Sequence, residues 1–96
     1  MLHLFLVTYD IADPVRLRKV HKTMKAFGDP LQFSVFRCEL SEANCVRLKT
    51  ALSEIIHAVE DQVLVFRLGP IDGTYTLQVE ALGRRYDPSR HEALVV

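Results

Sequence analysis

The first group that could carry out chemistry is Asp10, a carboxylate that follows an apolar run over residues 4–7. Such a run is typical of a strand buried on both faces, and Asp10 lies where that strand leaves the core. A strand end is rigid and reaches solvent, which suits a metal ligand or an acid/base group. The neighbouring Tyr9 could donate a hydrogen bond to a phosphate or to the Asp10 site. Two simpler interpretations stay open: Asp10 begins a loop, and Tyr9 is a buried aromatic residue.

A second candidate site is the basic stretch between Pro14 and Gly28, which holds five cations and no acid. At helical spacing several of these side chains share one face, and a cationic stripe of this kind is typical of phosphate binding. A solvated helix face is the alternative. Nothing in the stretch resembles a base-reading element, so we expect recognition of shape and phosphate. The candidate nucleic-acid-binding residues are Arg16, Arg18, Lys19, Lys22 and Lys25.

Other side chains give weaker signals. Phe33 and Phe36 could stack on bases, although the core or an interface is the commoner place for such residues. His21 lies among the cations and could contact a phosphate or transfer a proton, and an ordinary surface position is the simpler interpretation. Cys38 and Cys45 match no zinc-binding spacing.

The composition limits the class of protein. The chain has 96 residues, 49% of them hydrophobic and 25% charged, with a formal net charge of zero. These values predict one soluble globular domain over residues 1–96 and argue against disorder. No apolar run approaches the roughly 18 residues of a membrane span, and signal-peptide features are absent, so no membrane partner is expected. With only two cysteines, the default location is a reducing cytoplasm.

The apolar periodicity predicts two helices among several strands. Asp13 is the expected N-cap of the first helix, with Pro14 at its first position and Gly28 as the C′ residue that closes it. Ser41 is the expected N-cap of the second helix. The predicted helices cover 14–27 and 42–58, the strands 2–9, 31–40, 63–68 and 75–82, and a turn, a polar loop and an apolar tail follow at 69–73, 83–91 and 92–96.

The order β-α-β-α-β-β predicts an α+β sandwich with both helices on one face of an antiparallel sheet. This order resembles a ferredoxin-like domain, βαββαβ with an extra C-terminal strand. That fold needs two strands between its helices, and residues 31–40 are few for a hairpin, so we expect one long strand bent near Phe36 and Arg37. The other sheet face is left open, and a second protomer in a two-fold dimer is its expected cover.

An ordered series of short motifs resembles a known family. The series comprises Tyr9-Asp10-Ile11, Asp13, Arg16, Arg18-Lys19-Val20, Gly28, Gln32-Phe33-Ser34-Val35-Phe36, Cys38-Glu39-Leu40 and Arg67-Leu68. Together these motifs are similar to the small CRISPR-associated endonuclease family, the second of the two core proteins of CRISPR spacer acquisition. The resemblance implies a ferredoxin-like homodimer whose terminal strand, here 92–96, extends to the partner protomer.

The resemblance also implies the chemistry. An aspartate at the end of the first strand, matched by Asp10, would bind Mg²⁺ or Mn²⁺ near the dimer interface, and the protein would cleave RNA or double-stranded DNA. We take Asp10 as the metal ligand and Asp10 with Tyr9 as the candidate catalytic residues. If Asp13 caps its helix, Asp10 is left nearly alone, so the expected ion is weakly bound and mostly hydrated.

Three functions stay open. In the first, the protein is a metal-dependent endonuclease in which Arg16 and Arg18 steady the phosphate. In the second, it is a non-catalytic scaffold that holds duplex DNA and docks the larger integrase of spacer acquisition. In the third, it is an unrelated ferredoxin-like regulatory or ligand-binding module, which would leave the basic helix unexplained.

Overall fold

The computed structural model describes residues 1–72 and 78–85. Within them the chain forms five strands and two helices, and the strands make one antiparallel sheet in the order β2-β3-β1-β4-β5. This confirms the predicted α+β class and ferredoxin-like order. The elements are β1 (His3–Asp10), α1 (Pro14–Phe27), β2 (Asp29–Gln32), β3 (Val35–Leu40), α2 (Glu42–Ile55), β4 (Gln62–Pro70) and β5 (Gln78–Gly83).

The core lies between the sheet and the two helices. Alternate residues of β1, Phe5 and Val7, are almost fully buried, as are Val20 and Met24 of α1. Strand side chains alternate between faces, and Leu48 of α2 belongs to the same buried cluster, so both helices lie on one side of the sheet. Burial of this apolar surface is the main favourable term in the folding free energy. The remaining core residues are Tyr9, Ile11, Phe36, Cys38, Leu40, Cys45, Leu52, Val63 and Val65.

Both helices start at the predicted caps. The Asp13 carboxylate accepts hydrogen bonds from the backbone N–H groups of Val15 (3.0 Å) and Arg16 (2.9 Å). The Ser41 hydroxyl accepts one from the N–H of Asn44 at 3.1 Å. Each cap satisfies donors that have no partner inside the helix, which stabilises the first turn. The predicted range 14–27 is confirmed for α1.

Helix α2 ends at Ile55, three residues before the predicted end. Its cap residue Ile56 is extended, and the next backbone N–H, that of His57, donates to the Asp61 carboxylate at 2.8 Å. The N–H of Asp61 donates back to the carbonyl of His57 at 3.0 Å. A turn closed by these two hydrogen bonds therefore replaces the last predicted helical turn. The N–H of His57 donates to the side chain of Asp61 there, whereas in a continued helix it would donate to a backbone carbonyl.

The prediction of one bent strand over 31–40 is wrong, because a hairpin occupies this region. Strand β2 starts at Asp29, and its register shift lies between Pro30 and Gln32. The chain passes from α1 into β2 through Gly28 alone, which provides the residues that a hairpin needs. Gly28 closes the helix as predicted, and its N–H donates to the carbonyl of Met24, but its backbone is extended, with φ −164°, and does not use a positive φ. A Cβ at this position would collide with the sulfur of Cys38 and a neighbouring carbonyl, so glycine is required for space.

Strand β4 is longer than predicted. Gly69 and Pro70, expected in the turn, belong to the strand, and Gly69 has φ 124°. The register with β1 shifts between Leu4 and Phe5, and the positive φ of Gly69 accompanies this irregularity. The turn starts at Ile71. Among the described residues β5 covers Gln78–Gly83, so Gly83, predicted in the loop, belongs to the strand. Residues 75–77 of the predicted strand, the loop residues 86–91 and the tail at 92–96 lie outside the described residues.

The sheet face away from the helices is lined by half-buried apolar side chains. Leu4 and Leu6 of β1 alternate with the buried Phe5 and Val7, and Leu6 lies opposite Phe66 of β4 in the register. Leu64 continues this apolar face along β4. Among the described residues no helix is long and apolar enough to cross a membrane.

Candidate functional site at the end of strand β1

Asp10 is the last residue of β1, and its side chain is 75% exposed. One carboxylate oxygen, Oδ2, accepts a hydrogen bond from Nη2 of Arg84 at 2.9 Å. Arg84 follows β5, and its Nη1 also donates to the carbonyl of Glu60 at 2.9 Å. The N–H of Arg84 donates to the carbonyl of Asp61. The predicted metal ligand is therefore exposed, but it already has a cationic neighbour held by the turn before β4.

A second carboxylate, that of Asp61, lies directly before β4, whose first residue Gln62 is paired with Asp10 in the sheet. Asp61 is fully buried and accepts four hydrogen bonds: from the N–H groups of Ala12 (2.9 Å) and His57 (2.8 Å), and from Nε (2.8 Å) and Nη2 (3.2 Å) of Arg16. Burial alone would raise the pKa of this carboxyl. The hydrogen bonds from Arg16, His57 and Ala12 outweigh burial and lower the pKa to about 2. Asp61 is thus charged at neutral pH and joins the β1–α1 connection to the α2–β4 turn.

The guanidinium of Arg16 forms an ion pair with the carboxylate of Asp61. Besides the Asp61 contacts, its Nη2 lies 3.0 Å from a carboxylate oxygen of Glu60, and only 24% of the side chain is exposed. The hydrogen bond to Asp61 is the main reason that its pKa is raised. An incoming phosphate would have to compete with two carboxylates for this guanidinium. The predicted nucleic-acid role of Arg16 stays a prediction, whereas its ion pair with Asp61 is a feature of the fold.

Tyr9 points in the opposite direction from Asp10, because neighbouring residues of a strand project from opposite faces. Its hydroxyl donates to the carbonyl of Phe33 at 2.7 Å and lies 2.8 Å from Nδ1 of His21. Burial raises the pKa of the phenol to about 12. The structure thus places Tyr9 with the β2–β3 hairpin rather than with Asp10, and its predicted catalytic role stays a prediction.

The other predicted cations form an exposed face of α1. Arg18, Lys19, Lys22 and Lys25 are all exposed, and none of them makes an ion pair with another described residue. We call these four residues the basic stripe. The charge of the basic stripe is therefore uncompensated on this helix, which leaves it available to an external anion.

The donor set at the end of β1 is small. Carboxylate oxygens are the ligands that Mg²⁺ and Mn²⁺ prefer. Among the described residues, however, no three histidine, cysteine, aspartate or glutamate side chains lie close enough to hold an ion together. Asp13 caps α1 and Asp61 binds Arg16. One protomer therefore fits at most a largely hydrated ion on Asp10, and a fuller set of ligands would need a second copy.

Sequence reasoning missed two residues of this site, Asp61 and Arg84. Asp61 lies between the predicted second helix and the strand over 63–68, and Arg84 lies in the predicted polar loop over 83–91. Their partners Arg16 and Asp10 lie 45 and 74 positions away in the chain. A local pattern carries no signal for contacts of this length. The one available hint was an aspartate placed directly before a strongly apolar strand, where a buried carboxylate would need a cation.

Comparison with known proteins identifies relatives over the whole chain. The family model described as "CRISPR associated protein Cas2" matches residues 1–72. The CRISPR-associated endoribonuclease Cas2 of Geobacter sulfurreducens is 38% identical over 96 residues, covering 100% of both chains. The CRISPR-associated endonuclease Cas2 of Halalkalibacterium halodurans is 33% identical and covers 85% of this chain and 88% of its own length.

Two solved structures have the same fold as this chain. The crystal structure of Streptococcus pyogenes Cas2 at pH 6.5 superposes with a TM-score of 0.61 at 36% identity, covering 65% of this chain and 81% of that one. A hypothetical protein from Thermus thermophilus superposes with a TM-score of 0.70 at 24% identity, covering 83% of this chain and 100% of its own, which shows the shared fold. By family model, by sequence and by fold, this chain belongs to the Cas2 family of CRISPR-associated proteins.

Proposed function

We propose that this protein acts in CRISPR adaptation as a homodimeric, divalent-metal-dependent endonuclease on RNA or double-stranded DNA, with Asp10 as the metal ligand. The observation that carries the proposal is the exposed carboxylate at the end of β1, in a chain whose relatives are named endoribonucleases and endonucleases. Mg²⁺ or Mn²⁺ bound there would activate water and neutralise the charge that develops on a phosphodiester. Two buried, unpaired cysteines agree with a reducing cytoplasm as its location.

The homodimer would form through the open sheet face. Leu6, Leu64 and Phe66 make an apolar surface there that a second copy would cover. Asp10 belongs to the same alternating set of β1 as Leu4 and Leu6, so it lies at the end of this face. A two-fold axis near that end would bring two Asp10 carboxylates together and enlarge the donor set. The tail at 92–96 would add a strand to the partner, as the family resemblance implies.

Within each protomer the described residues have separate tasks. Asp10 would hold the metal once its oxygen is released from Arg84, and Arg18 would steady the phosphate. Tyr9 stays protonated at neutral pH because its pKa is about 12, and it would act as a hydrogen-bond donor only when its proton is released from the carbonyl of Phe33. Arg16 acts by holding the β1–α1 connection against Asp61.

The decisive experiment replaces Asp10 with asparagine, which keeps the shape of the side chain and removes its charge. Wild type and Asp10→Asn would be compared for cleavage of RNA and duplex DNA with Mg²⁺ or Mn²⁺, after gel filtration has confirmed the same oligomeric state. We expect cleavage to fall by at least about 100-fold. Asp13→Asn is the matched control, because asparagine caps a helix as well as aspartate does. Unchanged cleavage by Asp10→Asn would refute the assignment.

The second function is a non-catalytic scaffold that holds duplex DNA and docks the larger integrase. The sparse donor set and the Asp10–Arg84 contact favour it, and so does the uncompensated charge of the basic stripe. Spacer integration with the larger partner, measured with Asp10→Asn in the same series, separates the two. Lost cleavage with intact integration would make the scaffold the role that adaptation uses. Loss of both would tie adaptation to the metal site.

A further inference from the structure

The tip of the β2–β3 hairpin presents an exposed aromatic ring. Phe33 is 61% exposed, although it stacks on His21 of α1 with ring centroids 4.4 Å apart and an angle of 8° between the planes. Phe33 therefore lies outside the core, and an interface or a stacked base stays open for it, whereas Phe36, the other aromatic residue of the motif, is fully buried in the core. One ring therefore lies over the helix while much of its surface remains in solvent.

The side chain of Tyr9, which is buried in the core, contacts both residues of the stacked pair. The phenol donates to the carbonyl of Phe33 at 2.7 Å and contacts Nδ1 of His21 at 2.8 Å, so one buried hydroxyl ties both members. Phe36 packs edge-on against His21, with centroids 5.4 Å apart at 70°. With only 6% of Tyr9 exposed, this support is protected from water. Tyr9 and Phe36 hold the imidazole of His21, and the Phe33 ring stacks on this fixed imidazole, so it loses little conformational entropy when a ligand stacks on its other face.

The surroundings of the pair are cationic. On α1, Arg18 and Lys25 stand three residues before and four residues after His21, which makes them its neighbours on the helix surface. Lys22 is adjacent, and all three belong to the unpaired basic stripe. The pair lies on the helix side of the sheet, so a dimer formed through the opposite face would leave it accessible.

We propose that Phe33, stacked on His21, is a platform for an unpaired nucleobase, so that the protein binds duplexes carrying a single-stranded extension in preference to blunt ones. Exposed aromatic rings beside a cationic backbone track are the features that single-stranded nucleic acid requires. The basic stripe would hold the phosphates on either side of the stacked base. This inference deepens the proposed function and rests on the nucleic-acid binding that it includes.

The test compares two probes with equal numbers of phosphates: a blunt DNA duplex, and a shorter duplex with an oligothymidine extension. Phe33→Leu keeps an apolar side chain and removes the π-face, and Leu31→Ala, at another exposed apolar residue of the hairpin, is the control. We expect Phe33→Leu to weaken binding of the extended probe by about 10-fold. Its binding of the blunt probe, its salt dependence and its thermal unfolding midpoint should equal those of wild type.

A second variant gives a direct readout. The chain contains no tryptophan, so Phe33→Trp introduces its only indole. The extended probe should quench this fluorescence and the blunt probe should not. Equal affinities of Phe33→Leu and wild type, or equal losses on both probes, would overturn the platform, as would loss of integrase docking without loss of nucleic acid. If wild type binds neither probe at low salt, the proposed nucleic-acid binding itself fails and the platform with it.

Discussion

Two aspartate–arginine pairs lie around the same end of the sheet, and they differ in burial. Asp61 is fully buried and accepts four hydrogen bonds, two of them from Arg16, whereas Asp10 is 75% exposed and meets Arg84 through a single contact. The same two side-chain types thus build a fixed element of the fold in one case and an exchangeable contact in the other. Desolvation decides the difference, since water competes freely for the exposed pair and is excluded from the buried one.

The buried pair should carry the largest stability effect. Asp61→Ala removes the acceptor of two backbone N–H groups and leaves the Arg16 guanidinium without its main partner. We expect a loss of about 3 kcal/mol in the free energy of unfolding, measured by urea denaturation. Glu60→Gln is the matched control, since Glu60 pairs with the same arginine at a site 56% exposed, and it should change stability little. Equal effects of the two substitutions would contradict the assignment of Asp61 as the structural partner.

The cations of α1 also differ: Arg16 forms an ion pair with Asp61, whereas the basic stripe makes no ion pair with a described residue. Lys22→Glu combined with Lys25→Glu should weaken binding to duplex DNA by about 10-fold or more and lower the salt slope by about 2. The control is Arg47→Glu with Lys49→Glu on α2, which makes the same change in net charge. Both forms would be titrated at several salt concentrations. A similar loss in the two double variants would show that total charge, and not the stripe, governs binding.

The buried pair also predicts a pH dependence. The pKa of Asp61 in the folded protein, about 2, lies below the ordinary value of 3.8, so the folded state favours the charged form. This contribution is complete above about pH 5 and is lost as the pH falls through about 2. The stability difference between wild type and Asp61→Ala should therefore shrink between pH 5 and pH 2. A difference that stays constant over this range would mean that folding leaves the pKa of the Asp61 carboxyl unchanged.

The two pairs also show what the sequence could predict. Asp13-Pro14 and Ser41 mark the helix starts because capping acts over two or three residues, and the structure confirms both. Asp10 was found because a strand end is a local feature. The hairpin was missed because β2 starts directly after Gly28, without the loop that usually separates two elements. Asp61 and Arg84 were missed since their importance depends on partners that only the folded sheet brings near.

Breaking the exposed Asp10–Arg84 pair should have the smallest effect on stability and should instead change metal binding. Arg84→Gln breaks a solvent-exposed contact, so the urea midpoint should stay that of wild type. Removing a positive charge beside the Asp10 carboxylate should strengthen Mn²⁺ binding by about fivefold, which is the effect of one unit charge about 4 Å from another in water. Calorimetric titration of Mn²⁺ would measure it, with Arg85→Gln as the charge-matched neighbour. Weaker binding by Arg84→Gln would mean that Arg84 positions Asp10 for the metal instead of competing with it.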